Sequence, residues 1–224
     1  MGYSVVDSTP TSTLPPVIDE AVETVVDHIL SRLYQLPVSS HHPHLIDQFR
    51  LVLRRLGGAF AVSHPKLWRR KIKRTAAKEI NEMAFIIEEL TRIICKDGDS
   101  GDVRAIEFGA PPVTIIDLCS GMGYLSMFLS HFLPPSRVSR IISVDVLFPS
   151  PNDPNYDSVG GYEEEENGDG RHLPTSHLLH PIHPIPIRPR RANLKKGREL
   201  RQIIKHCIDK APGPVIIVGV HLCK

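Results

Sequence analysis

Residues 113–129, VTIIDLCSGMGYLSMFL, form the stretch that most limits how this chain can fold. A short continuous apolar run ends at Asp117, two glycines follow at Gly121 and Gly123, and an apolar stretch then resumes. This order predicts a strand buried on both faces, a tight turn and a helix, because glycine is favoured where φ is positive or where a ligand approaches the backbone. The free N–H groups at the start of such a helix point at that ligand.

The segments after this turn alternate between strand and helix patterns. Residues 140–146, RIISVDV, form a second apolar run, residues 198–210 have a helical pattern, and residues 213–222, GPVIIVGVHL, form a third strand pattern. This alternation predicts an α/β fold with a parallel sheet. The segment IPIRP at residues 185–189 is predicted as a short strand at the sheet edge, where prolines are tolerated.

The part of the chain before the glycine turn is predicted to be helical. Apolar residues recur at helical spacing over residues 17–33 and 44–56, and the pair Gly57-Gly58 is predicted to stop the second of these helices. A longer helix is predicted to begin near Pro65, a residue type favoured in the first turn. Its apolar residues recur every three or four positions and predict one buried face: Ile72, Ala76, Ile80, Met83, Ile87, Leu90 and Ile94.

Composition divides the 224 residues into a tail, a helical region and an α/β domain. Residues 1–16 are rich in Ser, Thr and Pro and predict a flexible tail. Residues 17–100 form the predicted helical N-terminal region, and residues 101–224 form the predicted α/β domain. Within that domain, residues of about 148–184 are rich in Pro, Asn, Asp, Gly, Glu and His, so they predict a disordered insertion.

The acid before the glycines distinguishes between two kinds of ligand. A dinucleotide-binding turn, G-x-G-x-x-G, holds a pyrophosphate, and Gly121, Gly123 and Ser126 match that pattern only loosely. Asp117 at the strand end would repel a pyrophosphate, whereas it would attract a ligand with a cationic amino group. The sequence therefore favours a cationic ligand. A generic strand–turn–helix unit with incidental acids is the alternative.

The sequence DLCSGMG at residues 117–123 resembles the signature of the class I S-adenosylmethionine (SAM) methyltransferases, in which an acid precedes alternating glycines. Asp145 ends the second predicted strand, where that family has an acid that binds both ribose hydroxyls. The resemblance implies a Rossmann-like sheet, SAM as cofactor and methyl transfer as reaction. It also implies a set of cofactor-binding residues: Asp117, Cys119, Ser120, Gly121, Gly123, Tyr124 and Asp145. Cys119 departs from the signature, which usually has glycine there.

The segment HLC at residues 221–223 is similar to the HLCG segment of a methyltransferase subgroup that includes tRNA 2′-O-methyltransferases with CHHC-type zinc fingers. A K…E pattern over residues 73–82 and the segment IPIRPRRANLKK also resemble that subgroup. The subgroup's zinc-finger cysteines are absent from this sequence. The resemblance implies one candidate general base and three candidate substrate contacts: His221 as the base, and Cys223, Arg190 and Arg191 as the contacts.

The net charge is only +2, but the basic residues are concentrated in two stretches. Residues 66–78 contain seven Lys or Arg and no acid, and residues 188–205 contain eight with the single acid Glu199. Such segregation favours a partner that carries phosphates, and RNA is the predicted partner. Solvated helix faces are an equally good alternative.

Several classes of protein are disfavoured by the sequence. No apolar run approaches the ~20 residues of a membrane-spanning helix, and the N-terminus has neither a secretory nor a myristoylation signal. The four cysteines show no C-x-x-C spacing and are predicted to be reduced thiols in the cytoplasm or nucleus. The histidines, His177, His180 and His183 among them, are predicted as loop residues, and no structural metal is expected. Trp68 is predicted to pack a helix rather than to stack on a base.

The resemblance also bears on the extent of the chain. The methyltransferase fold has seven strands, whereas this sequence reaches the fourth and ends at Lys224. A C-terminally truncated chain with an incomplete sheet is therefore expected, and its last strand would form an open edge. Two functions stay open: a SAM-dependent methyltransferase that acts on RNA, and a non-catalytic methyltransferase-fold protein that binds RNA or a protein partner.

Overall fold

The computed structural model describes residues 19–95, 110–149 and 173–220. These residues form an α/β fold in which four helices precede a four-stranded parallel sheet. The predicted fold class, a Rossmann-like parallel sheet of about four strands after a helical region, is confirmed. The predicted flexible tail at residues 1–16 lies outside the described residues.

The N-terminal region consists of α1 (Glu20–Leu33), α2 (Val38–His41), α3 (Pro43–Ser63) and α4 (Lys73–Cys95), the last preceded by a π-helical turn at Leu67–Ile72. Asp19 caps α1, because its side chain accepts a hydrogen bond from the backbone N–H of Ala21 at 2.9 Å. The predicted apolar stripe from Ile72 to Ile94 is buried throughout. None of the described helices has the length and apolar character needed to cross a membrane.

The pair Gly57-Gly58 does not stop α3, contrary to the prediction, and the helix continues to Ser63. Gly57 lies where helices approach each other closely. A Cβ at this position would lie 2.5 Å from Cγ1 of Val22 and 2.6 Å from Cζ2 of Trp68. The glycine therefore serves packing, and tertiary contacts outweigh its helix-propensity cost of about 1 kcal/mol. Trp68 is 1% exposed, which confirms its predicted packing role.

The sheet has the strand order β3-β2-β1-β4, and all neighbouring strands are parallel. Its strands are β1 (Val113–Leu118), β2 (Val138–Asp145), β3 (Ile187–Arg191) and β4 (Val215–Val218). The helix α5 (Tyr124–Phe132) connects β1 to β2, and α6 (Gly197–Ile203), continued by a π-helical turn at Ile204–Ile208, connects β3 to β4. β3 is an edge strand, as predicted, so Pro189 is tolerated there.

Helices cover both faces of this sheet. Ile115 and Ile141 belong to one large hydrophobic cluster with α1, α3, α4 and α5, so the helical region and the sheet share a core. Ile116 and Ile142 belong to a second cluster with Ile203 of α6. Neighbouring residues of one strand thus point to opposite buried faces, which explains the continuous apolar runs in the sequence.

Residues 173–186 pack against the core, which corrects part of the predicted disordered insertion. Leu178 and Ile185 are 1% and 0% exposed. The Oγ of Ser130 in α5 donates a hydrogen bond to the carbonyl oxygen of Ile185 at 3.0 Å and accepts one from its N–H at 3.1 Å. Ordering this segment costs chain entropy, which its polar residues alone would not offset. Burial of its apolar residues offsets that cost. Residues 150–172 lie outside the described residues.

Candidate functional site

The carboxyl ends of β1 and β4 border the cleft that forms the candidate site. β2 and β3 lie on one side of β1 and β4 lies on the other, so the strand order reverses between β1 and β4. Ligands of open parallel α/β sheets bind in the crevice at such a switch point. The cleft is lined by residues of α4, β1, the glycine turn, α5 and the segment after β4: Glu79, Met83, Asp117, Cys119, Ser120, Tyr124, Leu125 and Val220.

The turn between β1 and α5 has left-handed residues at three alternating positions. Cys119 and Gly121 have φ angles of 54°, and Gly123 has a φ angle of 73°. A residue with a Cβ is strained in this conformation, so Cys119 occupies a position that favours glycine. A Cβ added at Gly121 would have no atom within 4 Å, so the turn leaves space beside its backbone.

Asp145 at the end of β2 faces this turn. Its Oδ2 accepts a hydrogen bond from the backbone N–H of Gly121 at 2.9 Å, and its Oδ1 accepts one from the N–H of Leu147 at 2.8 Å. An ionised carboxylate has about four acceptor positions, so both oxygens keep capacity for ligand hydroxyls. The residue is 9% exposed, so its side chain is held in place by the protein.

Asp117 at the end of β1 is deeply buried, and burial raises the pKa of its carboxyl to about 7. Hydrogen bonds from Ser126 oppose this rise in pKa, and the negative charge of Asp145 adds to it. The Oγ of Ser126 donates to Oδ2 of Asp117 at 2.8 Å and lies 2.5 Å from the Oγ of Ser143. Asp117 is therefore partly protonated near neutral pH, and a cation in the cleft would favour its ionised form.

Two hydroxyl groups complete the turn. The Oγ of Ser120 is buried without a hydrogen-bond partner in the described part of the chain, although Ser120 lines the cleft. A buried hydroxyl without a partner is rare, so this group is suited to a ligand. The hydroxyl of Tyr124 lies 2.7 Å from Oγ1 of Thr75, which joins the first residue of α5 to α4. All seven residues predicted to bind the cofactor thus lie in this turn or in contact with it.

Residues 173–183 hold the turn from outside, and the sequence patterns did not predict this. A Cβ at Gly123 would lie 2.6 Å from Cδ2 of Leu178, so only glycine permits this close approach. Nε2 of His177 donates a hydrogen bond to the carbonyl oxygen of Met122 at 2.9 Å. The available signal was the run SHLLHPIHPIPI at residues 176–187, whose apolar residues have neither helix nor strand spacing.

Histidines fasten this segment to α3 and α5. The rings of four histidines lie 5.4 to 6.4 Å from the ring of Phe60, and the ring of His131 lies 5.6 Å from that of His183. We name these five residues the histidine cluster: His64, His131, His177, His180 and His183. Burial lowers the pKa of His131, His177 and His183 to about 4 each. The described residues contain no group of three or more side chains placed to hold a metal ion.

Of the residues predicted to act on or contact the substrate, Arg190 and Arg191 lie within the described part of the chain. Arg190 and Arg191 pair in register with Val144 and Asp145, so they lie at the carboxyl edge of the sheet, and β2 and β1 separate their strand from β4. His221 and Cys223 lie outside the described residues. Conversely, Glu79 and Met83 of α4 line the cleft although the sequence did not predict either as a site residue.

The chain matches no family model, no curated protein sequence and no solved structure. Its class therefore follows from the fold and the site alone. It is an α/β protein with a parallel sheet, a glycine turn after the first strand and an acid at the end of each of the first two strands.

Proposed function

We propose that this chain binds SAM in the cleft between the carboxyl ends of β1 and β4 and acts as a SAM-dependent methyltransferase. The hydrogen bond from the N–H of Gly121 to the carboxylate of Asp145 carries the proposal, because it brings the second acid onto the turn that follows the first. A pyrophosphate placed on this turn would face the charge of Asp145 and the carboxyl of Asp117. A ligand with hydroxyls and a positive charge suits the same groups.

The residues of the cleft fit the chemical groups of SAM. The carboxylate of Asp145 keeps acceptor capacity for the two ribose hydroxyls. Asp117 suits the cationic amino group, and the partnerless Oγ of Ser120 offers a further polar contact. The space beside Gly121 lets a ligand approach the backbone. Bound SAM supplies a methyl group on a sulfonium, and the task of these residues is to hold and align it.

We propose RNA as the methyl acceptor, on the basis of charge. The basic stretch 66–78 covers the π-helical turn and the start of α4, directly before the residues of α4 that line the cleft, and most of its Lys and Arg side chains are exposed. The second basic stretch includes Arg190 and Arg191, which are exposed beside the end of β2. RNA affinity should fall steeply with rising salt, because bound phosphates release counterions. A flat salt response would contradict this assignment.

The outer side of β4 favours a second candidate function. Among the described strands β4 pairs only with β1, and Ile217 is 52% exposed. An exposed apolar edge strand is suited to pairing with another chain. A non-catalytic protein that uses this fold to bind RNA or a protein partner is therefore the alternative.

Calorimetric titration of the folded protein with SAM separates the two candidates. Saturable binding supports the methyltransferase, and a folded sample that shows no binding refutes it. The proposed compartment is the cytoplasm or nucleus, since Cys95, Cys119 and Cys207 are all free thiols.

A further inference from the structure

We propose that Glu79 of α4 and Asp117 of β1 form an acidic subsite that binds the cationic part of the ligand in the cleft. This inference rests on the proposed function, because SAM is the ligand that brings a sulfonium and an amino group to the site. It assigns a ligand-binding role to the helical region, which otherwise serves as a packing partner of the sheet.

The geometry of α4 directs Glu79 toward the glycine turn. Thr75, Glu79 and Met83 are four residues apart, so they form one row along the helix surface. The first member of this row is fixed, because Oγ1 of Thr75 lies 2.7 Å from the hydroxyl of Tyr124 at the start of α5. The other two members line the cleft. Glu79 and Met83 therefore form the part of the cleft wall that α4 supplies.

The charge of the cleft lining is one-sided. Glu79 and Asp117 are the acids among its lining residues, and the described lining contains no Lys, Arg or His. Burial is the main cause of the raised pKa of Tyr124, and the negative charge of Glu79 adds to that rise. The field of Glu79 thus reaches the first residue of α5. The Glu79 side chain is 24% exposed, so its interaction with a cation is less screened than that of a surface acid.

The neighbouring Lys78 provides a matched control. Its Nζ lies 3.9 Å from Oε1 of Glu79 but 3.0 Å from Oε1 of Glu82, one turn along α4. Both acids are therefore close to the same lysine and both are partly exposed, at 24% and 31%. They differ in that Glu79 lines the cleft and Glu82 does not. Lys78 pairs mainly with Glu82, so Glu82→Gln removes a helix-surface ion pair outside the cleft, and only Glu79→Gln should affect the ligand.

The test is calorimetric titration of wild type, Glu79→Gln and Glu82→Gln with two ligands. SAM carries the cationic groups, whereas 5′-methylthioadenosine keeps the adenosine but lacks both the sulfonium and the amino group. We expect Glu79→Gln to weaken SAM binding roughly five- to tenfold, as for a partly solvated charge-assisted contact, and to leave methylthioadenosine binding unchanged. Glu82→Gln should leave both affinities unchanged.

Two results would overturn the proposal: an unchanged SAM affinity in Glu79→Gln, or equal losses for both ligands, which would indicate an altered cleft shape instead of a lost charge. Glu79→Asp keeps the charge and should recover part of the SAM affinity. Thermal unfolding establishes that each variant is folded. If the wild type binds no SAM, the proposed function itself is refuted. If the wild type and Glu79→Gln bind SAM with equal affinity, only the subsite is refuted.

Discussion

The carboxylate of Asp145 accepts a hydrogen bond from the backbone N–H of Gly121, and this contact fixes the glycine turn to the strand beside it. A second bond supports it, because the N–H of Ser120 donates to the carbonyl oxygen of Val144 at 3.1 Å. Hydrogen bonds within the protein therefore position the turn against β2. Such preorganisation reduces the ordering cost that binding would otherwise incur.

Replacement Asp145→Asn should weaken SAM binding about tenfold or more. An amide has one acceptor oxygen in place of two. It therefore cannot accept hydrogen bonds from the N–H groups of Gly121 and Leu147 and also from two ribose hydroxyls. Each lost charge-assisted hydrogen bond is worth ~1.5–3 kcal/mol. Calorimetric titration measures the loss. Asp209→Asn, at an exposed position after α6, is the control and should bind as wild type does. An unchanged affinity in Asp145→Asn would refute the ribose assignment.

Replacement Cys119→Gly should stabilise the folded protein relative to Cys119→Ala. The φ angle of 54° strains any residue with a Cβ by roughly 1–2 kcal/mol, and glycine removes this strain. Part of this gain is offset, because the greater conformational entropy of glycine lowers the free energy of the unfolded chain by ~0.4–1 kcal/mol. We therefore expect a difference of about 0.5–1 kcal/mol in the free energy of unfolding, measured with denaturant. A glycine variant no more stable than the alanine variant would contradict the strain.

The parts of the site that the sequence predicted are those that depend on neighbouring positions in the chain. Asp117, the glycines and Asp145 lie at strand ends or in one turn, so strand and turn patterns are enough to place them on one edge. Glu79 and Leu178 reach the same turn through the packing of separate segments, and no local pattern encodes such packing. Gly57 shows the same limit, since its role depends on Val22 and Trp68 from other helices.

Replacement Asp117→Asn should stabilise the protein at neutral and alkaline pH. The folded-state pKa of about 7 exceeds the unfolded value of ~4, so the wild-type carboxyl contributes stability below about pH 4 that is lost as the pH rises to about 7. The amide does not ionise. We expect the stability of the variant relative to wild type to increase between pH 4 and 7, by about 2–4 kcal/mol in total. Denaturant unfolding at pH 5 and pH 8 measures it, and an equal difference at both pH values would contradict the buried charge.

The same carboxyl predicts that SAM affinity depends on pH. A bound cation favours ionised Asp117, so the ligand must displace a proton below the pKa of about 7 and not above it. Affinity should therefore rise by roughly tenfold from pH 6 to pH 7.5 and then level off, since one proton is released per ligand. Titration in buffers of different ionisation enthalpy reports that proton directly. In Asp117→Asn the proton release should disappear, and an unchanged release would assign the proton to another group.

The histidine cluster should make the folded protein sensitive to acid. The pKa values of His131, His177 and His183 are near 4 in the folded state and ~6.5 when unfolded, so their contribution to stability is present above pH 6.5 and is lost as the pH falls toward 4. The loss is about 3 kcal/mol for each histidine. The charged or titratable neighbours that lower these pKa values further are Arg55 and the other histidines.

Replacement His183→Gln tests this cluster, because glutamine can keep the hydrogen bond that Nε2 donates to the carbonyl oxygen of His177 yet cannot be protonated. Between pH 7.5 and pH 4.5 the variant should lose about 2 kcal/mol less stability than wild type, measured by denaturant unfolding. His206→Gln, at an exposed position outside the cluster, should follow wild type. Equal losses in His183→Gln and wild type would exclude His183 from the acid response. Because protonated His177 would carry a buried charge, acid should destabilise the packing of residues 173–183 on the glycine turn and lower SAM affinity over the same pH range, although Nε2 still donates to Met122.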